Sequence, residues 1–125
     1  MRVFFLAAAV SVIASCGLAG KKVTETDCDA WADEWKKVAT KELAQVTKDC
    51  DLPSSGSDDA AELLRRNCKR DQIGSPYDQN ESTCFLGASS RKDWEGCNFS
   101  QKSMFWSLPR QIDESSKALS KICDK

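Results

Sequence analysis

Cysteine is the residue type in this 125-residue chain whose spacing carries the most chemistry. Cys16 lies in an apolar N-terminal stretch. Six further cysteines follow at wide intervals: Cys28, Cys50, Cys68, Cys84, Cys97 and Cys123. An even set of six behind an export signal predicts three disulfides in a secreted domain. Zinc binding is the alternative, but no two cysteines have C-x2-C spacing. We therefore predict structural cysteines, with no metal and no cofactor.

Residues 1–20 have the pattern of a signal peptide that is removed from the mature protein. Arg2 gives a positive start, and an apolar run follows from Val3 to Ala14. Small residues such as Gly17 and Ala19 suit the peptidase that cleaves such leaders. The apolar run is too short to span a membrane, and no second long run follows it. The sequence predicts a secreted, extracellular protein without a transmembrane segment.

A second interpretation of the leader remains open. Ile13-Ala14-Ser15-Cys16 resembles the lipobox of bacterial lipoproteins, in which the cysteine is lipidated and anchors the protein. Six further cysteines and two glycosylation sequons are unusual for that class of protein, so secretion is favoured. In either case residues 21–125 form one predicted domain.

Charge and composition exclude several classes of function. The chain has 18 basic and 19 acidic residues, for a net charge of −1, and both signs are interspersed. No basic stripe exists for a nucleic acid, and no polybasic patch for an anionic membrane. Histidine is absent, which excludes hydrolases that rely on a histidine base. Acidic pairs such as Asp58 and Asp59 fall at predicted helix ends, where helix capping explains them. We predict that the protein is not an enzyme.

Apolar periodicity predicts helices and no strands. One face of the first helix carries residues at steps of three and four: Cys28, Trp31, Trp35, Ala39, Leu43, Val46 and Cys50. The predicted elements are a helix over 28–50, a helix over 58–70 capped by Ser57, a loop over 71–80, a short helix from Ser89 or Ser90 through Trp94 that Gly96 ends, and a last helix capped by Ser107 with Pro109 in its first turn. The predicted fold is all-α, a small disulfide-stapled bundle of three to four mostly antiparallel helices.

The disulfide pairing follows only in part from this arrangement. A continuous helix over 28–50 would be about 33 Å long. Disulfides need Cα atoms within roughly 7 Å, so Cys28 and Cys50 cannot pair with each other. If the first and last helices are antiparallel, Cys28 meets Cys123. A nested arrangement then pairs Cys50 with Cys97 and Cys68 with Cys84, and the sequence leaves other pairings open.

Two sequons are candidates for N-glycosylation. Asn80-Glu81-Ser82 lies in a predicted polar loop, which suits a surface modification. Asn98-Phe99-Ser100 follows directly after a cysteine, whose disulfide would hinder modification. The sequence therefore favours Asn80 over Asn98.

Aromatic residues give the best candidates for a binding surface. Trp31 and Trp35 lie on the inner face of the first helix and are predicted core. A short segment before the last helix is different, because it concentrates four large apolar residues outside a periodic stripe: Phe99, Met104, Phe105 and Trp106. They either close the end of the bundle or contact a partner or ligand, since such residues are favoured at binding surfaces.

Two functions remain compatible with the sequence. The favoured one is a secreted, non-enzymatic extracellular protein-binding module of the ligand, effector or inhibitor type. The alternative is a carrier of a small apolar ligand or lipid in a helical-bundle cavity that the four tryptophans would line. A carrier requires an enclosed apolar cavity. A protein-binding module requires a filled core and an exposed patch that includes Phe105 or Trp106.

Overall fold

The computed structural model describes residues 20–50, 52 and 55–123. Within them the chain forms five helices: α1 (Glu25–Val46), α2 (Ser57–Asp71), α3 (Gln79–Leu86), α4 (Arg91–Glu95) and α5 (Met104–Cys123). The predicted all-α, disulfide-stapled bundle is confirmed. The predicted leader lies outside the described residues apart from Gly20, and so does the lipid-anchor alternative at Cys16.

Helix α1 begins at a reciprocal capping box. The Thr24 hydroxyl accepts the backbone N–H of Asp27 (3.3 Å), and the Asp27 carboxylate accepts the backbone N–H of Thr24 (2.9 Å). Two otherwise unsatisfied N–H groups are thereby bonded at the helix start. The apolar stripe predicted for this helix is buried between Cys28 and Leu43.

The C-terminal end of α1 differs from the prediction. The helix ends at Val46 instead of continuing to Cys50. The hydroxyl and the backbone N–H of Thr47 both donate to the Leu43 carbonyl (3.0 and 3.1 Å). Such a side-chain bond competes with helix continuation. Cys50 therefore lies beyond the helix.

Helix α2 packs antiparallel to α1. The Cys28–Cys68 disulfide joins the start of α1 to the end of α2. At the other end, the hydroxyls of Thr40 and Ser57 share a hydrogen bond of 2.9 Å. The predicted N-cap at Ser57 is wrong: Gly56 is the N-cap, with φ +80°, and the buried Ser57 is the first helical residue. Its hydroxyl bonds to neighbouring hydroxyls, including that of α1, and does not cap its own helix.

Helix α3 lies near the start of α1, and α4 lies near its end. Ser82 of α3 bonds to Trp31 near the start of α1, whereas Arg91 of α4 bonds through its backbone N–H to Glu42 near the end. The short helix α4 is capped by Ser90 and followed by Gly96, as predicted. The loop predicted over 71–80 is wrong at its end, because the Asp78 carboxylate accepts the Glu81 N–H (2.9 Å) and starts α3 at Gln79.

Helix α5 runs in the same direction as α1. Near the starts of the two helices the rings of Trp31 and Phe105 meet edge to face, with centroids 5.0 Å apart. At the far end, Cys50, just beyond α1, is joined to Cys123, the last residue of α5. Contacts therefore follow the same order along both helices.

The start of α5 also differs from the prediction. The helix begins at Met104, so Ser107 is not its cap and Pro109 lies in the helix interior. The Ser103 hydroxyl accepts the Phe105 N–H (3.1 Å), and the Ser107 hydroxyl donates to the Met104 carbonyl. Ser103, whose hydroxyl bonds an N–H of the first turn, lies before the apolar run. Apolar periodicity therefore did not indicate where the helix starts.

The direction of α5 explains why the predicted disulfide pairing is wrong. The observed bonds are Cys28–Cys68, Cys50–Cys123 and Cys84–Cys97. The pairing Cys28–Cys123, Cys50–Cys97 and Cys68–Cys84 required α1 and α5 to be antiparallel. Because the chain over 72–103 leaves and returns to the same end of the bundle, α5 starts where α1 starts. The prediction that Cys28 and Cys50 do not pair is confirmed.

The core is built around tightly packed aromatic rings. Phe85 and Trp94 stack with centroids 4.7 Å apart, and Phe105 lies 5.0 Å from both Phe85 and Trp31. Offset and edge-to-face pairs of this kind add to the stabilisation from burial.

The indole N–H groups of the three buried tryptophans are all satisfied. Trp31 donates to the Ser82 hydroxyl (2.9 Å), Trp35 to the Leu108 carbonyl (2.9 Å) and Trp94 to the Phe85 carbonyl (3.0 Å). Each bond links one part of the chain to another. It also satisfies a buried donor that would cost free energy if it were unpaired. The prediction that Trp31 and Trp35 are core residues is confirmed.

Candidate functional site

The four predicted contact residues do not share one surface. Phe105 is only 4% exposed and lies in the core, because it shares the inward stripe of α5 with Leu108 and Ile112. Phe99 is half-buried, with its ring 5.5 Å from that of Phe105. The two phenylalanines thus pack against each other, one in the core and one partly exposed beside it.

Met104 and Trp106 lie on different sides of α5. Residues two positions apart on a helix do not face the same neighbour. Met104 borders a groove between α2 and α5. Trp106 borders a separate cleft next to Asn98 and α4. Each of these openings is a candidate binding surface.

The groove between α2 and α5, called the α2–α5 groove, has a volume of about 390 Å³. Leu63, Leu64 and Cys68 line it from α2, and Met104 and Leu108 line it from α5. Both helices pack along α1, and the groove runs between them. Its floor is buried, since Leu64, Cys68 and Leu108 belong to the core.

Leu63 makes the rim of this groove apolar as well. Its side chain is 54% exposed, although it adjoins the buried Leu64. Leu63 is not among the binding residues predicted from the sequence. The available signal was the pair of adjacent leucines, which widens the apolar stripe of α2 beyond what packing against α1 uses.

Polar groups complete the rim of the α2–α5 groove. They are the side chains of Asn67, Asp71, Gln72, Ser107 and Gln111. The Arg70 guanidinium donates two hydrogen bonds of 2.9 Å to the Asp71 carboxylate, and this holds the pKa of Asp71 below its usual value. The charged side chain among the lining residues is thus already paired, and the remaining rim offers amides and a hydroxyl.

The second opening, called the Trp106 cleft, has a volume of about 310 Å³. Asn98, Phe99, Trp106 and Arg110 are among the residues that line it. The Arg110 guanidinium carbon lies 3.6 Å from the centroid of the Trp106 ring, and one guanidinium nitrogen donates to the Trp106 carbonyl (2.6 Å). One face of the indole is therefore already occupied by a cation–π contact.

An ion pair fixes the far wall of the Trp106 cleft. Arg91 of α4 donates to both carboxylate oxygens of Asp113 on α5 (2.9 and 2.6 Å) and pairs with Glu95 at 2.7 Å. The hydrogen bonds with Asp113 raise the pKa of Arg91 above its ordinary value. This arginine is engaged in joining α4 to α5.

Replacing Asp113 with asparagine is expected to lower the free energy of unfolding by about 0.5–1 kcal/mol, because a bidentate ion pair between two helices is lost. Urea denaturation measures the change. Glu114→Gln on the exposed side of α5 is the matched control and is expected to change stability far less. Equal losses in both variants would contradict a structural role for the Arg91–Asp113 pair.

Two observations concern the charged and metal-ligating side chains of the described residues. No group of three or more cysteine, aspartate or glutamate side chains is placed there to hold a metal ion. Glu34 is a buried carboxylate with one oxygen 3.2 Å from Lys37; its other oxygen has no hydrogen-bond partner among the described residues. No helix in the described part of the chain is long and apolar enough to cross a membrane.

The described residues form a small helical domain stapled by three disulfides, in which the α2–α5 groove and the Trp106 cleft are two of the openings that border α5. Comparisons with protein-family models, with curated proteins and with solved structures found no match.

Proposed function

We propose that the protein is a secreted, non-enzymatic module that binds an extracellular protein partner through the α2–α5 groove. The observation that carries this proposal is the exposure of Leu63 above an apolar floor formed by Leu64 and Leu108. Large apolar side chains exposed beside an apolar groove are typical of interaction sites. A partner that covered them would remove this apolar surface from water.

The dimensions of the groove favour a helical segment of the partner. The α2 residues that line it extend from Ala60 to Asp71, which corresponds to about 16 Å of helix, or about three turns. An amphipathic helix inserts apolar side chains at positions i, i+3 or i+4 and i+7 into such a groove. The inserted face would be uncharged, and polar groups at its edges would meet the amides of Asn67 and Gln111.

Two features support an extracellular location for this binding. Three disulfides are compatible with an oxidising compartment and are rare in reducing ones. The N-terminal residues also have the composition of a cleaved export signal.

The alternative function, a carrier of a small apolar ligand, has less support. Three of the four tryptophans that would line an internal cavity, Trp31, Trp35 and Trp94, instead fill the core, as the stacking of Trp94 on Phe85 illustrates. The fourth, Trp106, borders an open cleft. A small ligand would have to lie in the open α2–α5 groove, where much of its surface would stay in water.

Photo-crosslinking from the groove tests the proposal. A photoreactive amino acid replaces Leu63, and the full secreted chain is irradiated in extracellular fluid from its own source. We expect a crosslink to a protein that saturates with concentration and disappears when excess unlabelled wild-type protein competes.

The matched control carries the same photoreactive group at Ile122. That residue is 53% exposed on α5 and does not line the groove. Crosslinks from position 122 that match those from position 63 would show nonspecific contact. Saturable crosslinking at neither position, or the release of a small apolar molecule in place of a protein, would contradict the proposal.

A further inference from the structure

We infer that Asn98, and not Asn80, is the N-glycosylation site that the folded protein presents, and that its glycan covers the Trp106 cleft. The inference rests on the proposed secretion, since N-linked glycans are added in the eukaryotic secretory pathway. It reverses the preference that the sequence alone gives to Asn80.

The fold buries the hydroxyl of the Asn80 sequon. Asn80 lies in the first turn of α3 and not in a loop, although its own side chain is exposed. The hydroxyl of its sequon, on Ser82, is completely buried. It is held between the Trp31 indole N–H (2.9 Å) and the Tyr77 hydroxyl (2.7 Å), so in the folded molecule a transferase has no access to it.

The Asn98 sequon lies in irregular chain between α4 and α5. The neighbouring Cys97 is bonded to Cys84, which the sequence alone counts against this site, but both Asn98 and Ser100 are exposed beside that disulfide. Asn98 has φ +53°, a left-handed conformation that asparagine tolerates better than most residues. The backbone N–H of Ser100 donates to the Glu81 carboxylate (2.8 Å), which fixes the sequon at the surface. A surface loop is the context in which this tripeptide is modified.

The modification is a transfer of sugar from a lipid-diphosphate-linked oligosaccharide. The side-chain amide nitrogen of Asn98 bonds to the anomeric carbon of the first sugar, and the bond from that carbon to the diphosphate oxygen breaks. The diphosphate leaves with the electron pair, and the amide nitrogen loses one proton. The oligosaccharide donor and the transferase come from the secretory pathway.

The position of Asn98 determines what the glycan covers. Asn98 itself lines the Trp106 cleft, so the first sugar is attached at the edge of that opening. Arg110 already occupies one face of the Trp106 ring, and the glycan would shield the indole further. The α2–α5 groove is bordered by Met104 on another side of α5 and stays open to a protein partner.

The experiment uses the full chain expressed in a eukaryotic secretory host. The intact mass of the secreted protein is measured before and after treatment with a peptide N-glycosidase. We expect a glycan on the wild type and on Asn80→Gln, and none on Asn98→Gln or Ser100→Ala. Ser100→Ala leaves the left-handed asparagine in place, so it keeps the test valid if Asn98→Gln fails to fold.

Three results would overturn the assignment: an unglycosylated wild type, a glycan that persists in Ser100→Ala, or a glycan that is lost in Asn80→Gln. None of them bears on the α2–α5 groove, because crosslinking from position 63 is measured independently. If Asn98 carries a glycan but position 63 gives no saturable crosslink, only the proposed function is contradicted.

Fluorescence quenching tests the covering of the cleft. Trp31, Trp35 and Trp94 are buried, so a polar quencher such as acrylamide reports mainly on Trp106. We expect stronger quenching after enzymatic removal of the glycan, and we expect Trp106→Phe to abolish that difference. Equal quenching of the two forms would show that the glycan points away from the cleft.

Discussion

Replacing Trp35 with alanine is expected to lower the free energy of unfolding by about 3–5 kcal/mol, the cost of removing a large side chain from a packed core. Trp35 is 1% exposed and its indole N–H bonds to the Leu108 carbonyl, so the change both opens a cavity and removes a bond between α1 and α5. Urea denaturation followed by circular dichroism measures the loss.

Trp106→Ala is the matched control for this prediction. The side chain is only half-buried and borders an open cleft, and its specific contact is the cation–π pair with Arg110. We expect a loss of about 1 kcal/mol from that contact and the partial burial. A loss as large as that of Trp35→Ala would place Trp106 in the core and would remove the Trp106 cleft as an accessible surface.

Removing the Cys28–Cys68 disulfide by a double change to alanine is expected to destabilise the domain by about 4 kcal/mol, and removing Cys84–Cys97 by about 3 kcal/mol. The difference arises because the first bond closes 40 residues and the second only 13, so the first restricts the unfolded chain more. Cys28 and Cys68 are also buried, which adds the loss of packing.

Denaturant midpoints of the two double variants, compared with the wild type, check this order. Domains of this size have free energies of unfolding of about 5–15 kcal/mol, so the loss of Cys28–Cys68 alone removes a large share of the stability of the domain. A Cys84–Cys97 variant that is the less stable of the two would contradict the argument from loop length. It would indicate that α4 is held in place chiefly by its disulfide.

Helix faces could be predicted from the sequence because burial leaves a periodic signal. The buried stripe of α1 from Cys28 to Leu43 and the short helix between Ser90 and Gly96 agree with the prediction. Helix α3 left no such signal, because its start is polar and one of its buried residues is Ser82. A buried serine is recognisable only through its tertiary partners.

The direction of α5 could not be predicted from the sequence, because it also depends on tertiary contacts. It depends on where α3 and α4 return the chain, and this is set by contacts such as the stacking of Phe85 on Trp94. The disulfide pairing follows from that direction, so it could not be derived either.

The four candidate contact residues do not lie on one surface. Met104 and Trp106 do border openings beside α5, whereas Phe105 is core and the exposed Leu63 was not selected. Periodicity shows that a helix has an apolar face, but it does not show which part of that face another helix leaves uncovered.

The dissociation constant of the complex with the crosslinked partner tests the central claim most directly. Once that protein is purified, its binding is measured with wild type, Leu63→Glu and Ile122→Glu. We expect at least about tenfold weaker binding for Leu63→Glu, equivalent to about 1.4 kcal/mol, and wild-type affinity for Ile122→Glu. Unchanged affinity in Leu63→Glu, with its fold intact by circular dichroism, would show that the α2–α5 groove is not the binding surface.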